Sequence, residues 1–171
     1  SLGQPVLIEN RPGADGAIAG ELVARAEPDV HTFFLASNTP MMQVPLLKKN
    51  PPYDPIKSFD RVILLGTNVV GFFVANKVPA SSLKEFLELV RQQPGKLNYA
   101  STGTGTPNHL GMVLLLMHAG INMHHVPYRS AGQITVDLIS GQVSLWFPTV
   151  GGTLPHIHSG RMRALAVAGA K

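Results

Sequence analysis

Three junctions of one composition constrain this chain more than any other feature of its sequence. Ser37 to Thr39, Ser101 to Thr106 and Tyr128 to Gly132 each follow a short apolar run and precede a helical pattern. All three are built from small and hydroxylated residues with few charges. Short apolar runs alternating with helical spacing specify an α/β chain. The runs Val6-Leu7-Ile8, Thr32 to Ala36, Val62 to Leu65, Val70 to Ala75, Leu97 to Ala100, His124 to Val126, Val143 to Phe147 and Ala164 to Ala168 are the expected strands. Between them, Asp15 is placed to cap a helix reaching about Ala26, and Thr39 to cap another with Pro40 in its first turn. Ser82-Leu83-Lys84-Glu85 has the form of a capping box, and its helix stops before Pro94-Gly95. A further helix runs from Pro107 to Gly120, with Leu110, Val113, Leu114 and Met117 as its expected apolar face, and another closes at Gly141.

Composition narrows the function classes. With 171 residues the chain is one large domain or two small ones. It has no Cys, which removes thiolate metal sites and thiol chemistry and leaves the compartment open. Fourteen basic against ten acidic residues leave a net charge of +4. The basic residues are scattered, without the one-sided cluster that nucleic-acid binding calls for. No run approaches the roughly 18 apolar residues of a membrane span. Ser1-Leu2-Gly3-Gln4 has neither the basic start nor the apolar middle of a signal peptide, so the chain is expected to be soluble.

The three loops carry the chemistry. In an open α/β sheet, strand-to-helix loops sit at the carboxyl ends of the strands, where ligands bind. Free amides and the positive end of a helix favour an anion there. Arg129 is the only full charge in these loops, and a guanidinium matches a carboxylate with two parallel hydrogen bonds. A small carboxylate is the natural guest. The plainer alternative is ordinary turn and cap chemistry, with His109 a packed core residue and Arg129 a solvated one. Gly103-x-Gly105 is no dinucleotide fingerprint, since Asn108 stands at the third glycine position, and no cofactor is implied. No metal is implied either: His124 and His125 point to opposite faces of a strand, and His156-x-His158 has no carboxylate nearby. There is no Gly-x-Ser-x-Gly elbow, and a Ser101/His109 pair would lack an acidic orienter.

Set in order, Asn10-Arg11-Pro12-Gly13-Ala14, Tyr53-Asp54-Pro55, Pro94-Gly95-Lys96-Leu97-Asn98-Tyr99-Ala100-Ser101, Gly103-x-Gly105-Thr106 with His109-Leu110, Val126-Pro127-Tyr128-Arg129, Gly141-Gln142-Val143, Leu154-Pro155-His156-Ile157 and Arg163 to Val167 span nearly the whole chain. The set resembles the substrate-binding receptors of tripartite tricarboxylate transporters, the Bug family. That resemblance implies a type II periplasmic-binding fold of two α/β lobes around a cleft, with residues 1–75 and the return strand 166–171 in an incomplete first lobe and 76–165 as the second. It implies a periplasmic receptor, truncated at both ends, that captures a small organic carboxylate and delivers it to membrane permease subunits, with no catalysis, no cofactor and no nucleic-acid partner. Carried over by motif, Ser37, Asn38 and Thr39 would come from the first lobe. Ser101, Thr104, Gly105, Thr106, His109, Tyr128, Arg129 and Ser130 would come from the second.

The chain departs from the family pattern at Pro148, where the family usually has Asp; a ligand bearing an ammonium group would lose its partner there. Ser130 replaces a usual Gly, and Val30-His31 a usual Gly-Tyr. Two other readings of the residues stand beside the receptor: a hydrolase using Ser101 and His109, and the effector-sensing domain of a transcriptional regulator, a class with a similar bilobed fold.

Overall fold

Val70–Ala75 (β1) is the most continuously buried strand of the chain, and it is buried because it has a neighbour on each side. The computed structural model describes residues 3–169 and divides between Ile63 and Leu64 into two compact units. In the second unit five strands pair in the order β3-β2-β4-β1-β5, where β2 is Asn98–Ser101, β3 His124–Pro127, β4 Leu145–Trp146 and β5 Met162–Ala168. β3, β2 and β4 run parallel, whereas β1 is antiparallel to both β4 and β5. β1 pairs with β5 along its whole length, from Val70 opposite Ala168 to Ala75 opposite Met162. β1 and β5 thus belong to the same sheet as the strands that carry the second and third loops.

Helices cover the sheet: α3 (Leu83–Gln92), α4 (Pro107–Ala119), α5 (Ala131–Ser140) and α6 (Leu154–His158). Phe73, Val74, Phe86, Val90, Met112, Ile134, Leu138 and Leu145 are fully buried between them. Ser82 caps α3 by accepting from the Glu85 amide at 3.2 Å. The expected box is displaced by one residue, because the Glu85 carboxylate accepts from the amide and hydroxyl of Ser81. These bonds hold the Glu85 carboxyl below its ordinary pKa, the Ser81 amide first.

α4 turns a different side inward from the one its spacing suggests. Leu110, Leu114 and Met117 are exposed, while Met112 is fully buried and Leu115 and Leu116 pack on the core. Residues 112–117 are apolar without a break, so periodicity selects no face. Gly111 does: a Cβ there would lie 2.5 Å from the Phe147 ring. Asn108 Nδ2 also donates to the Phe147 carbonyl, fixing the first turn of α4 to the end of β4.

The first unit is sparser. A 3-10 turn at Ala14–Gly16 leads into α1 (Ala17–Ala24), and a π turn at Thr39–Gln43 leads into α2 (Val44–Leu47). The expected caps are displaced here too. Gly16, in the left-handed region, precedes α1 in place of Asp15, and Asn38 precedes the π turn in place of Thr39. Its core is Ala17, Val44 and Tyr53, with the Tyr53 hydroxyl donating to the Pro40 carbonyl at 2.7 Å and Phe59 edge-on to the Tyr53 ring at 5.3 Å. The runs Val6 to Ile8, Thr32 to Ala36 and Val62 to Leu65 form no strands; Leu7, Ile8, Leu35 and Leu64 are strongly exposed. A strand persists only when its backbone finds a ladder partner, and the described residues offer these runs none. Of the proposed return strand 166–171, residues 170 and 171 lie outside the described residues.

Replacing Gly111 by Ala is expected to destabilise the second unit by about 1–3 kcal/mol, because Phe147 must move to admit the methyl group. Thermal unfolding followed by circular dichroism checks this; an unchanged Tm would mean that α4 does not rest on Phe147.

Candidate functional site

Two of the three loops leave the sheet side by side. β2 and β3 are adjacent and parallel, with Ser101 opposite Pro127, and the Tyr128 amide donates to the Ser101 carbonyl at 2.9 Å. Their carboxyl ends therefore present the loops 102–106 and 128–130 on the same edge. Ser37 and Asn38 are exposed in the first unit, and Thr39 is half-buried at the start of its π turn.

Ser101 is fully buried, and its hydroxyl is committed to the loop. Oγ accepts from the Gly103 amide at 3.1 Å, lies 3.0 Å from the Gly103 carbonyl and 2.7 Å from His125 Nε2. Its one proton serves either the carbonyl or the imidazole. Both assignments leave the carbonyl satisfied, since Thr106 Oγ1 also donates to it at 2.7 Å. Gly103 and Gly105 hold φ of 136° and 84°, a region costly to any residue with a Cβ.

The Thr106 hydroxyl, turned back to Gly103, does not cap α4. Pro107 has no N–H, and the amides of Asn108 and His109 make no hydrogen bond among the described residues. Thr104 is exposed beside them. The Gly105 amide donates to His109 Nδ1 at 3.2 Å. Behind the loop, the His109 and His125 rings lie 4.3 Å apart, and the buried Tyr99 ring stacks on His125 at 4.9 Å. Burial first, then the charges of His109 and His124, holds the His125 pKa below its ordinary value. Burial pushes the Tyr99 phenol up.

In the third loop Tyr128 donates its hydroxyl to Asp137 Oδ2 at 2.7 Å. Burial, this bond and the Asp137 charge push the phenol up to about 12. Ser130 caps α5, accepting from the Gln133 amide at 3.3 Å. Arg129 is exposed and makes no hydrogen bond or ion pair among the described residues. The sequence-derived residues thus fall into two groups. Ser101, Thr106, Tyr128 and Ser130 spend their hydroxyls inside the unit, whereas Thr104, the open amides of α4 and Arg129 face outward free.

The sequence pattern missed two partners, Asp137 and His125. Asp137 lies nine residues beyond Tyr128, on the second turn of α5. His125 was legible only through strand adjacency, which sets it opposite Tyr99 and close to Ser101. The partner expected for Ser101 was His109; the structure gives it His125 instead. A nucleophile has to reach its substrate, and this hydroxyl has no exposure, while among the described residues no carboxylate charge acts on His125. Among the described residues, no three His, Asp or Glu side chains gather as a metal group, and no helix is long and apolar enough to cross a membrane.

The whole chain, residues 1–171, matches the family described as the tripartite tricarboxylate transporter family receptor. The chain belongs to this receptor family. A UPF0065 protein of Bordetella pertussis is 36% identical over 166 residues, 97% of this chain and 51% of that protein. Protein BugT of the same organism is 31% identical over 168 residues, 98% of this chain and 52% of its own. The chain therefore spans about half the length of the curated relatives it matches. Among solved structures, Rpa4515 of Rhodopseudomonas palustris with adipate superposes with a TM-score of 0.88 at 29% identity, covering 99% of this chain and 57% of that one. MatC of the same organism with bound malate gives 0.81 at 29% identity, covering 99% and 58%. The fold is that of the tripartite tricarboxylate transporter receptors, an α/β periplasmic-binding fold.

Tyr128→Phe is expected to destabilise this receptor chain by about 1 kcal/mol through loss of the bond to Asp137. Because the folded-state phenol titrates higher than an unfolded one, its stabilisation is complete below pH 10 and lost as pH rises from 10 to about 12. Urea unfolding across that interval should show the alkaline loss in the parent chain and a shallower one in the variant. Equal slopes would separate Tyr128 from Asp137.

Proposed function

We propose that this chain is the ligand-holding part of a periplasmic solute-binding receptor that captures a small organic carboxylate and passes it to the membrane permease subunits of a tripartite tricarboxylate transporter. The uncapped N-terminus of α4 carries the reading: the amides of Asn108 and His109 stand open beside Thr104, on the same sheet edge as the unpaired Arg129. Open amides at the positive end of a thirteen-residue helix favour an anion, and a free guanidinium adds a planar pair of donors. Family membership and the adipate and malate held by two relatives of like fold support a carboxylate as the guest.

In this reading Thr104 and the α4 amides hold one carboxylate group and Arg129 meets charge on the same ligand. Ser101, Thr106, Tyr128 and Ser130 shape the two loops. Ser37, Asn38 and Thr39 are the ligand residues proposed for the first lobe, residues 1–75 with 166–171, and those named above for the second, 76–165. Pro148 is buried and has only its carbonyl to offer, which accepts from the Gly71 amide, so the favoured ligand carries no ammonium group.

Isothermal titration calorimetry of the chain with malate, adipate and a wider set of di- and tricarboxylates tests the proposal. Saturable binding of at least one acid is expected, weakened by about 1–3 kcal/mol in Arg129→Ala. Affinity unchanged by that substitution removes Arg129 from the site, and no heat across the set contradicts the carboxylate reading.

A further inference from the structure

The contact between Gly105 and His109 fixes which nitrogen of the ring carries a proton. Gly105 donates its amide hydrogen to Nδ1, so Nδ1 presents a lone pair and the neutral ring keeps its proton on Nε2. A carboxylate oxygen is an acceptor of the same kind. His109 thus fills, from within the chain, an acceptor position that an anion on this loop would take. Protonation at Nδ1 ends that role, since an imidazolium has two donors and no acceptor.

The surroundings decide where a proton would go. His125 on β3 lies 4.3 Å from the His109 ring, and Tyr99 on β2 stacks against both, at 4.9 Å from His125 and 6.4 Å from His109. His124, next to His125 on the strand, is the other charge acting on that ring. Burial and these two neighbours hold the His125 pKa below its ordinary value. Among the described residues no carboxylate charge acts on His125, and Asp137 on α5 is held by Tyr128. Both rings are half-buried, but His109 is the one bonded to a loop amide, whereas His125 faces the buried Ser101 hydroxyl.

We propose that His109 is a proton-operated cover on the carboxylate subsite: neutral, it holds the Gly105 amide, and protonated, it releases that amide and faces the bound carboxylate as a cation, so that ligand capture takes up a proton. This rests on the carboxylate-receptor reading above. The ligand binds the protonated form better, so affinity rises as pH falls, by at most tenfold per pH unit for one proton. The dependence levels off once the ring is protonated in the free protein as well.

The test is calorimetry of the full chain with malate and with adipate between pH 5.5 and 8.5, in pairs of buffers of unlike ionisation heat. Proton uptake approaching one per ligand and tighter binding at lower pH are expected. His109→Asn places an amide oxygen near the Nδ1 position without a titratable proton, and both effects should vanish in it, whatever its absolute affinity. Binding without uptake, or uptake that persists in His109→Asn, overturns the proposal. Absence of binding at every pH counts against the carboxylate reading instead. The cover is then judged in the ligand-free protein by NMR: the Gly105 amide shift should follow the titration of the His109 ring and stay still in His109→Asn, and an amide indifferent to that titration overturns it.

Discussion

The hydroxyl of Ser101 is the fixed point from which the site is built. It is fully buried at the end of β2, where the chain must stop being a strand and turn into α4 within five residues. There it holds both polar groups of Gly103 and the Nε2 atom of His125, which ties the loop to β3 as well as to itself. A buried polar group left unpaired costs on the order of 1–3 kcal/mol, so the loop has little freedom to adopt another shape. With Gly103 pinned, Thr106 turns its hydroxyl to the same carbonyl, and the helix that follows is left without a side-chain cap. The open amides are a consequence of that arrangement.

The neighbouring loop shows what the same residue types do without such a constraint. Ser130 caps α5 in the ordinary way, accepting from Gln133, and Tyr128 is secured by Asp137. Both helices begin after a hydroxyl residue with extended backbone, and both keep open amides in the first turn, but α4 has no side-chain cap, so its His109 amide stays open where Ser130 takes the matching Gln133 amide of α5. In the proposed site the first loop adds Thr104 to its open amides, and the second, held from below by Asp137, adds Arg129. Donors already in place lose little freedom when a ligand arrives, which favours the binding proposed for these loops.

The second unit was largely legible in the sequence because its signals are local and agree with one another. Ser82 and Glu85 mark the start of α3, Gly120 and Gly141 end α4 and α5 in the left-handed region, and the apolar run 70–75 is a strand as its pattern predicts. The inward side of α4 was not legible, since a helix apolar on every side gives no periodic signal and the choice falls to Gly111 against Phe147. The first unit was legible least. Its runs 6–8 and 32–36, and the run 62–65 at its boundary, have strand composition, but pairing is a tertiary property that composition does not supply. At the site, the loop residues could be named from the sequence, while their division into those that shape and those that face outward depends on contacts such as Ser101 with His125.

On the proposed reading, the open end of α4 holds a carboxylate. Amide chemical shifts of the isotope-labelled chain, followed by NMR as malate or adipate is added, test it most directly. Saturable shifts concentrated at Thr104, Gly105, Asn108 and His109 are predicted. Saturable shifts that leave these four amides unmoved, and gather elsewhere on the chain, would contradict it.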